Sequence, residues 1–154
     1  MRALIQRVSR CSVRVDGREV SSIGPGLLVL LGISGRDSRE DIDYIVRKTV
    51  NLRIFDDHRG KLNLSLAEKG GQLMVVSQFT LYGDARKGRR PSYVEAAPPE
   101  VAERLYEEAC EAFAMAGFPP ARGVFGAHME VELVNDGPVT LLVESPRRDQ
   151  SVAL

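Results

Sequence analysis

The sequence predicts an α+β domain in which two principal helices pack outside a mostly antiparallel, curled, barrel-like sheet. Three observations carry that expectation. About seven apolar stretches have strand length and strand patterning. Two longer stretches carry apolar residues at helical spacing. The connections between them are Gly, Pro and Asx turn signals. With 154 residues, 44% hydrophobic and 27% charged, one globular domain spanning 1–154 holds all of them, and disorder or a disulfide scaffold is excluded.

Residues 2–15 read as the first strand, with Ala3, Ile5, Cys11, Val13 and Val15 on one parity and Gln6, Arg10, Ser12 and Arg14 on the other. Asp16-Gly17 is a tight-turn pair, so 18–23 returns antiparallel. Gly24-Pro25-Gly26 breaks the chain, and the apolar run 26–33 (GLLVLLGI) suits a strand covered on both faces. Ser38 and Asp41 form a capping box for a helix whose stripe is Ile42, Ile45, Val46, Thr49 and Val50. A short strand over 52–55 enters the polar turn 56–60; a small and polar stretch, 61–71, leads to a strand over 72–81. Residues 82–97 have no period and read as a long loop, a length that usually signals function. A second helix begins after Pro98-Pro99, buries Val101, Leu105, Ala109, Ala112, Phe113 and Ala116, and stops at Gly117 and Pro119. The remainder reads as a hairpin, 128–135 and 139–145, turning at Asn135-Asp136-Gly137-Pro138, with a loose tail at about 146–154.

The charges exclude several function classes. Lys+Arg 21 balances Asp+Glu 21, so a nucleic-acid partner needs a local basic patch. Two cysteines without CxxC spacing and two histidines argue against a metal site, and no cofactor motif such as GxGxxG or a Walker loop is present. Cys11 and Cys110 read as small core fillers. No apolar run approaches the ~20 residues that span a bilayer, and no secretory signal is visible, so a soluble cytoplasmic protein is expected.

Three segments invite chemistry. Ser77-Gln78-Phe79-Thr80 places two hydroxyls and an amide where an apolar strand meets a charged loop; the plainer reading is ordinary strand alternation. A hydroxyl nucleophile there needs a base, yet neither His58 nor His128 lies in a motif that pairs it with Ser77 or Thr80. Arg86-Lys87-Gly88-Arg89-Arg90 offers four cations in five residues to phosphates, against a plain solvated surface. The acidic second helix, with Glu100, Glu103, Glu107, Glu108 and Glu111, repels a polyanion and faces away from one. In Asn135-Asp136-Gly137-Pro138, proline removes a ladder donor at the start of a returning strand, and a Gly–Pro bond takes the cis form at modest cost.

From IQRV at 5–8, through GLLVLLGI, NLRIFDD, GKLNLSL, VVSQFTLYGD, KGRRPSY and FGAHM, to LVNDGPVT at 133–140, the chain resembles the D-aminoacyl-tRNA deacylases, also called D-tyrosyl-tRNA deacylases. SQFTL and NDGPVT are that family's two signatures. The resemblance implies a homodimer with active sites at the subunit interface, and hydrolysis of the ester joining a D-amino acid, or glycine, to the terminal adenosine of tRNA. It implies that Ser77, Gln78, Phe79 and Thr80 line the pocket and that Gly137-Pro138 enters the partner subunit's pocket to reject L-amino acids. By the same resemblance Arg7 braces that element, Met129 lies against the adenosine, and Arg86, Lys87, Arg89 and Arg90 meet the acceptor stem. His128 departs from the aspartate often found in the family's FGA-x-M segment. Two rivals stand beside it: a catalytically silent nucleic-acid-binding module using the basic loop, and a small-molecule esterase using Ser77 or Thr80 with His128.

Overall fold

The computed structural model describes residues 1–147, so the expected tail lies outside the described residues from 148 onward. Its axis is strand β1 (Arg2–Val15). Along one edge of β1 runs β8 (Glu130–Glu144); along the other lie β2 (Arg18–Ile23) and then β3 (Gly26–Gly32), all three antiparallel to it. Asp16 (φ 51) and Gly17 (φ 75) make the reversal between β1 and β2. Strand β6 (Gln72–Ser77) joins β3 in parallel, and β7 (Ala121–Arg122) joins β6 in parallel. The sheet is therefore mixed, antiparallel around β1 and parallel around β6. It curls until β7 meets β2, where Ser21 Oγ donates to the carbonyl of Arg122 (2.6 Å).

Each face of the sheet has its own core. Ala3, Ile5, Leu27, Val29, Leu31, Leu73 and Val75 pack against helices α1 (Arg39–Asn51) and α3 (Pro99–Met115). Val8, Cys11, Val13, Ile23, Leu28, Met74 and Val76 form the second core. The shared parity expected for Ala3, Ile5, Cys11 and Val13 thus does not put them on one face. Val8 and Arg10 stand opposite the consecutive residues Asn135 and Val134, and that one-residue bulge turns the later side chains over. Among the described residues, the second face is covered at one end only. At the other, Leu4 and Leu30 are half-buried and Leu142, opposite Leu4, is 54% exposed.

The helices follow their sequence signals. Ser38 N–H donates to Asp41 Oδ2 (2.8 Å), closing the capping box, and Ile42, Ile45, Val46 and Thr49 are buried. In α3, Leu105, Ala109, Ala112 and Phe113 are buried; Ala116 is exposed because the helix ends one residue earlier. The strand expected at 52–55 is β4 (Phe55–Asp56), paired with β5 (Leu62–Leu64), and a single turn of helix, α2 (Leu66–Lys69), occupies the polar stretch before β6.

The late hairpin is a correction. Residues 130–144 form one strand that stays antiparallel to β1 from end to end. Gln6 faces Thr140 and Val8 faces Asn135, so residues 136–139 bulge outward opposite Arg7 alone. The side chain of Asn135 closes this bulge: Oδ1 accepts from Val139 N–H (2.8 Å), while Nδ2 donates to the Val139 carbonyl (3.1 Å) and to Thr140 Oγ1 (3.1 Å). The chain so leaves the bulge in the direction it entered, where a hairpin turn reverses it. The other edge of β8 pairs with no strand among the described residues.

Replacing Asn135 with Ala removes three hydrogen bonds, two of them to backbone groups. The expected cost is roughly 1–3 kcal/mol, or a fall in Tm of about 2–12 °C. Thermal unfolding followed by circular dichroism measures it, and an unchanged Tm contradicts the role given to this amide.

Candidate active site

Strand β6 ends at Ser77, four residues before the sequence suggests, because its neighbour ends too. Gln78 N–H donates to the Leu31 carbonyl (2.8 Å) as the last rung, and the chain then coils into a 3-10 turn over Phe79–Tyr82. The turn folds over the end of β3 at Gly32. A Cβ there sits 2.9 Å from Leu81 Cβ and 3.3 Å from the Gln78 carbonyl oxygen, so only glycine admits this crossing. Arg2 fastens the turn from the side: NH1 donates to the Leu81 carbonyl (2.7 Å), Nε pairs with Glu144 (2.9 Å), and the guanidinium lies 4.5 Å from the Tyr82 ring centroid. Burial pushes the Tyr82 hydroxyl up to about 12.

The backbone donors of this turn matter most. The first main-chain donation back into it comes from Leu81 N–H, to the Gln78 carbonyl (3.3 Å). The N–H groups of Phe79 and Thr80 stand ahead of it, at a helix start where donors have no acceptor in the turn. Ser77 and Gln78 are half-buried, Phe79 and Thr80 exposed, and Gln78 Nε2 hydrogen-bonds Thr80 Oγ1. Met129 stands just ahead of β8. It packs on the second core beside Val76, and its sulfur accepts from Val124 N–H (3.4 Å). His58 lies exposed in the β4–β5 turn, and His128 is exposed ahead of β8. Among the described residues neither imidazole hydrogen-bonds to Ser77 or Thr80.

The other candidate residues gather elsewhere. The Gly137–Pro138 peptide is cis, and it forms the tip of the β8 bulge. Arg7 is buried beneath it. Its Nε donates to the Asp136 carbonyl (2.6 Å); NH1 donates to the Ile54 carbonyl (3.0 Å) and to Asp56 Oδ1 (3.2 Å). One guanidinium thus pins the bulge to the start of the β4–β5 hairpin. Gly137, at φ +154, holds a conformation that L residues rarely adopt, and a Cβ on it sits 2.7 Å from Val139 N.

The sheet register keeps the two groups apart within one chain. Ser77 aligns with Leu31, Leu31 with Ala3 and Ala3 with Val143, three strand spacings in all. The bulge sits at Arg7, four residues farther along β1. At about 4.8 Å per strand and 3.3 Å per residue, the groups lie roughly 14 Å apart across the sheet and 13 Å along it.

The basic loop has internal structure. Asp84 and Ser92 exchange two backbone hydrogen bonds (2.8 and 2.9 Å) that tie its ends together. Arg86 is committed to the Asp84 carboxylate through Nε (2.8 Å) and NH2 (2.7 Å), while Lys87, Arg89 and Arg90 are exposed with no carboxylate partner among the described residues. Beyond it, Tyr93 meets Phe79 edge to face, with ring centroids 5.1 Å apart. Both thiols are buried, which pushes Cys11 and Cys110 up to about 11, as befits inert packing groups.

The profile of the family described as D-Tyr-tRNA(Tyr) deacylase matches residues 4–144. The chain belongs to this family. It is 58% identical over 147 residues to the D-aminoacyl-tRNA deacylase of Thermosipho africanus (strain TCF52B), covering 96% of this chain and 99% of that one. The D-aminoacyl-tRNA deacylase of Myxococcus xanthus (strain DK1622) is also 58% identical, over 146 residues. Among solved structures, the c-Myc DNA Unwinding Element Binding Protein superposes with a TM-score of 0.91 at 43% identity, covering 96% of this chain and all of that one. A probable eukaryotic D-amino acid tRNA deacylase shares the fold, with a TM-score of 0.80 at 20% identity.

Both groups of residues therefore fall inside the matched deacylase region. Sequence reasoning missed several of their supports: Arg2, Gly32, Asp56, Asn135 and Tyr93. Only Asn135 carried a visible signal, as an amide at a turn.

The Asp84–Arg86 clamp yields a titration test. Hydrogen bonds from the Arg86 side chain and backbone hold the Asp84 carboxyl down to about 2. A lowered carboxyl stays charged as pH falls and loses its partner only near its own pKa, so the clamp holds through pH 4. Carbon-13 NMR is expected to show Asp84 titrating near pH 2, and Arg86→Ala, which keeps the backbone N–H donor, to raise it part of the way toward the ordinary carboxylate range. Ordinary titration in the unmodified protein contradicts the clamp.

Proposed function

We propose that this chain is an aminoacyl-tRNA editing hydrolase, which cleaves the ester of D-aminoacyl-tRNA, and of glycine on a non-cognate tRNA, into free amino acid and tRNA. Family membership over nearly the whole chain supports the reaction class. One observation carries the mechanism: among the described residues the main-chain N–H groups of Phe79 and Thr80 have no hydrogen-bond acceptor, and no Ser–His pair is assembled with Ser77 or Thr80.

An aminoacyl ester is reactive, and the terminal ribose holds a 2′-hydroxyl next to the carbonyl. In this reading that hydroxyl orients the attacking water. The carbonyl oxygen becomes an oxyanion between the Phe79 and Thr80 N–H groups; collapse then expels the ribose 3′-oxygen, which takes up the proton. One such donor contributes on the order of 3 kcal/mol to the barrier reduction. Catalysis then depends on main chain and substrate, and the side chains of Ser77, Gln78 and Thr80 shape the pocket.

Selectivity comes from the Gly137–Pro138 bulge of a second copy. The separation set by the register leaves each chain's turn without its own bulge, and a homodimer supplies it. The half-covered face with Leu4, Leu30 and Leu142, and the unpaired edge of β8, support such an association. A wall of main-chain atoms, braced by Arg7, cannot rotate out of the way. It excludes an L side chain at the α-carbon, passes glycine, and leaves a D side chain pointing outward. Met129 takes the terminal adenosine, while Lys87, Arg89 and Arg90 meet acceptor-stem phosphates. The similarity to the c-Myc DNA Unwinding Element Binding Protein favours a second reading, nucleic-acid binding without cleavage. A binder protects the ester; a hydrolase releases it.

Hydrolysis of D-tyrosyl-tRNA is expected to fall less than ~10-fold in Thr80→Ala, which keeps the backbone donor, and by about 10²- to 10³-fold in Thr80→Pro, which removes it. Losses near a million-fold on removing the Ser77 or Thr80 hydroxyl contradict the main-chain mechanism and point to a covalent one.

A further inference from the structure

We propose that the rings of Phe79 and Tyr93 form a stacking platform for the base of the nucleotide preceding the terminal adenosine; this rests on the deacylase reading above. That mechanism uses the backbone of Phe79 and leaves its ring unexplained. Of the nine Phe and Tyr side chains, the fold leaves two exposed, Phe79 at 54% and Tyr93 at 39%. These two lie against each other, at a centroid distance of 5.1 Å and an interplanar angle of 64°. An edge-to-face pair keeps ring surface open to a third flat group.

Location selects the occupant. Phe79 opens the turn that holds the reacting ester. Tyr93 lies over Gly83, where a Cβ sits 3.0 Å from both Tyr93 Cε1 and the Thr80 carbonyl oxygen. The platform is therefore within about one residue of the reaction centre. The terminal adenosine carries the ester at the turn, so the next base is the one in reach of the rings. Charge agrees: the Asp84–Ser92 bridge ends one residue before Tyr93 and encloses Lys87, Arg89 and Arg90, all exposed. Aromatic faces beside a cationic loop are the combination that binds single-stranded nucleic acid, bases on rings and phosphates on cations.

The test compares two esters, D-tyrosyl-tRNA and D-tyrosyl-adenosine, the second lacking the preceding nucleotide. Tyr93→Ala is expected to lower kcat/KM on the tRNA about 5- to 150-fold, the range a stacked base contributes, without a matching loss on the nucleoside ester. Tyr93→Phe, which keeps the ring, restores the tRNA reaction. Equal losses on both esters overturn the proposal, because Tyr93 then only props the catalytic turn; no loss on either overturns it as well. A loss accompanied by dissociation into monomers, read by sedimentation, also overturns it by assigning the rings to the subunit interface. A wild-type chain that cleaves neither ester sinks the deacylase reading itself, an outcome distinct from these.

Discussion

The hydrogen-bond ladder that runs from β6 through β3 and β1 to β8 sets the positions of everything functional in this chain. A ladder fixes register because a slip of one residue sends every side chain to the opposite face, and here both faces carry cores. The SQFTL turn and the NDGPVT bulge are consequently held at two separated places on one sheet. Neither can drift toward the other without unpairing β1, whose edges are occupied over nearly its whole length. The two groups do not meet within one chain, and in the proposed reading a second copy completes each site.

Each half-site is built by a device that keeps main chain in place. At the turn, Gly32 admits the crossing of Leu81, and Arg2 holds the Leu81 carbonyl. At the bulge, Asn135 closes the loop from within and Arg7 pins it from below. Arg7 is buried, and its fork donates to two carbonyls and a carboxylate, so removing it leaves the buried Ile54 carbonyl unpaired. In the proposed mechanism backbone carries both oxyanion stabilisation and handedness, which asks no catalytic triad of a chain with two histidines.

Much of this was legible in the residues. The Asp16-Gly17 turn, the Ser38–Asp41 capping box, the stripe of α1 and the start of α3 at Pro98-Pro99 each rest on local chemistry, and each lies where that chemistry puts it. The errors in the sheet share a cause: they concern pairing at long range. Nothing local to Phe79 announces that β3 has ended beside it, so the strand was carried to 81. Asn135-Asp136-Gly137-Pro138 looks like a reversal because turn residues signal a break in the ladder but not the direction in which the chain resumes. The change of face after Val8 comes from a bulge against β8, over a hundred residues away. In the site, Ser77–Thr80 and Asn135–Pro138 stand out on local chemistry, while Arg7 and the roles given to all of them rest on the resemblance. Asp84 and Arg86, two residues apart, are a local pair that the count of four loop cations overlooked.

Mixing defective subunits tests most directly whether one site draws on two chains. Gly137→Ala forces the bulge, and with it the main-chain wall that seats the ester against the partner's turn, out of shape but retains a sound turn; a chain with Thr80→Pro retains a sound bulge. Combined in equal amounts and allowed to exchange, two inactive preparations are expected to regain about one quarter of the wild-type sites, since half the dimers are mixed and each mixed dimer holds one intact site. Activity that stays at the level of the separate variants, in a mixture shown to have exchanged subunits, contradicts the shared site.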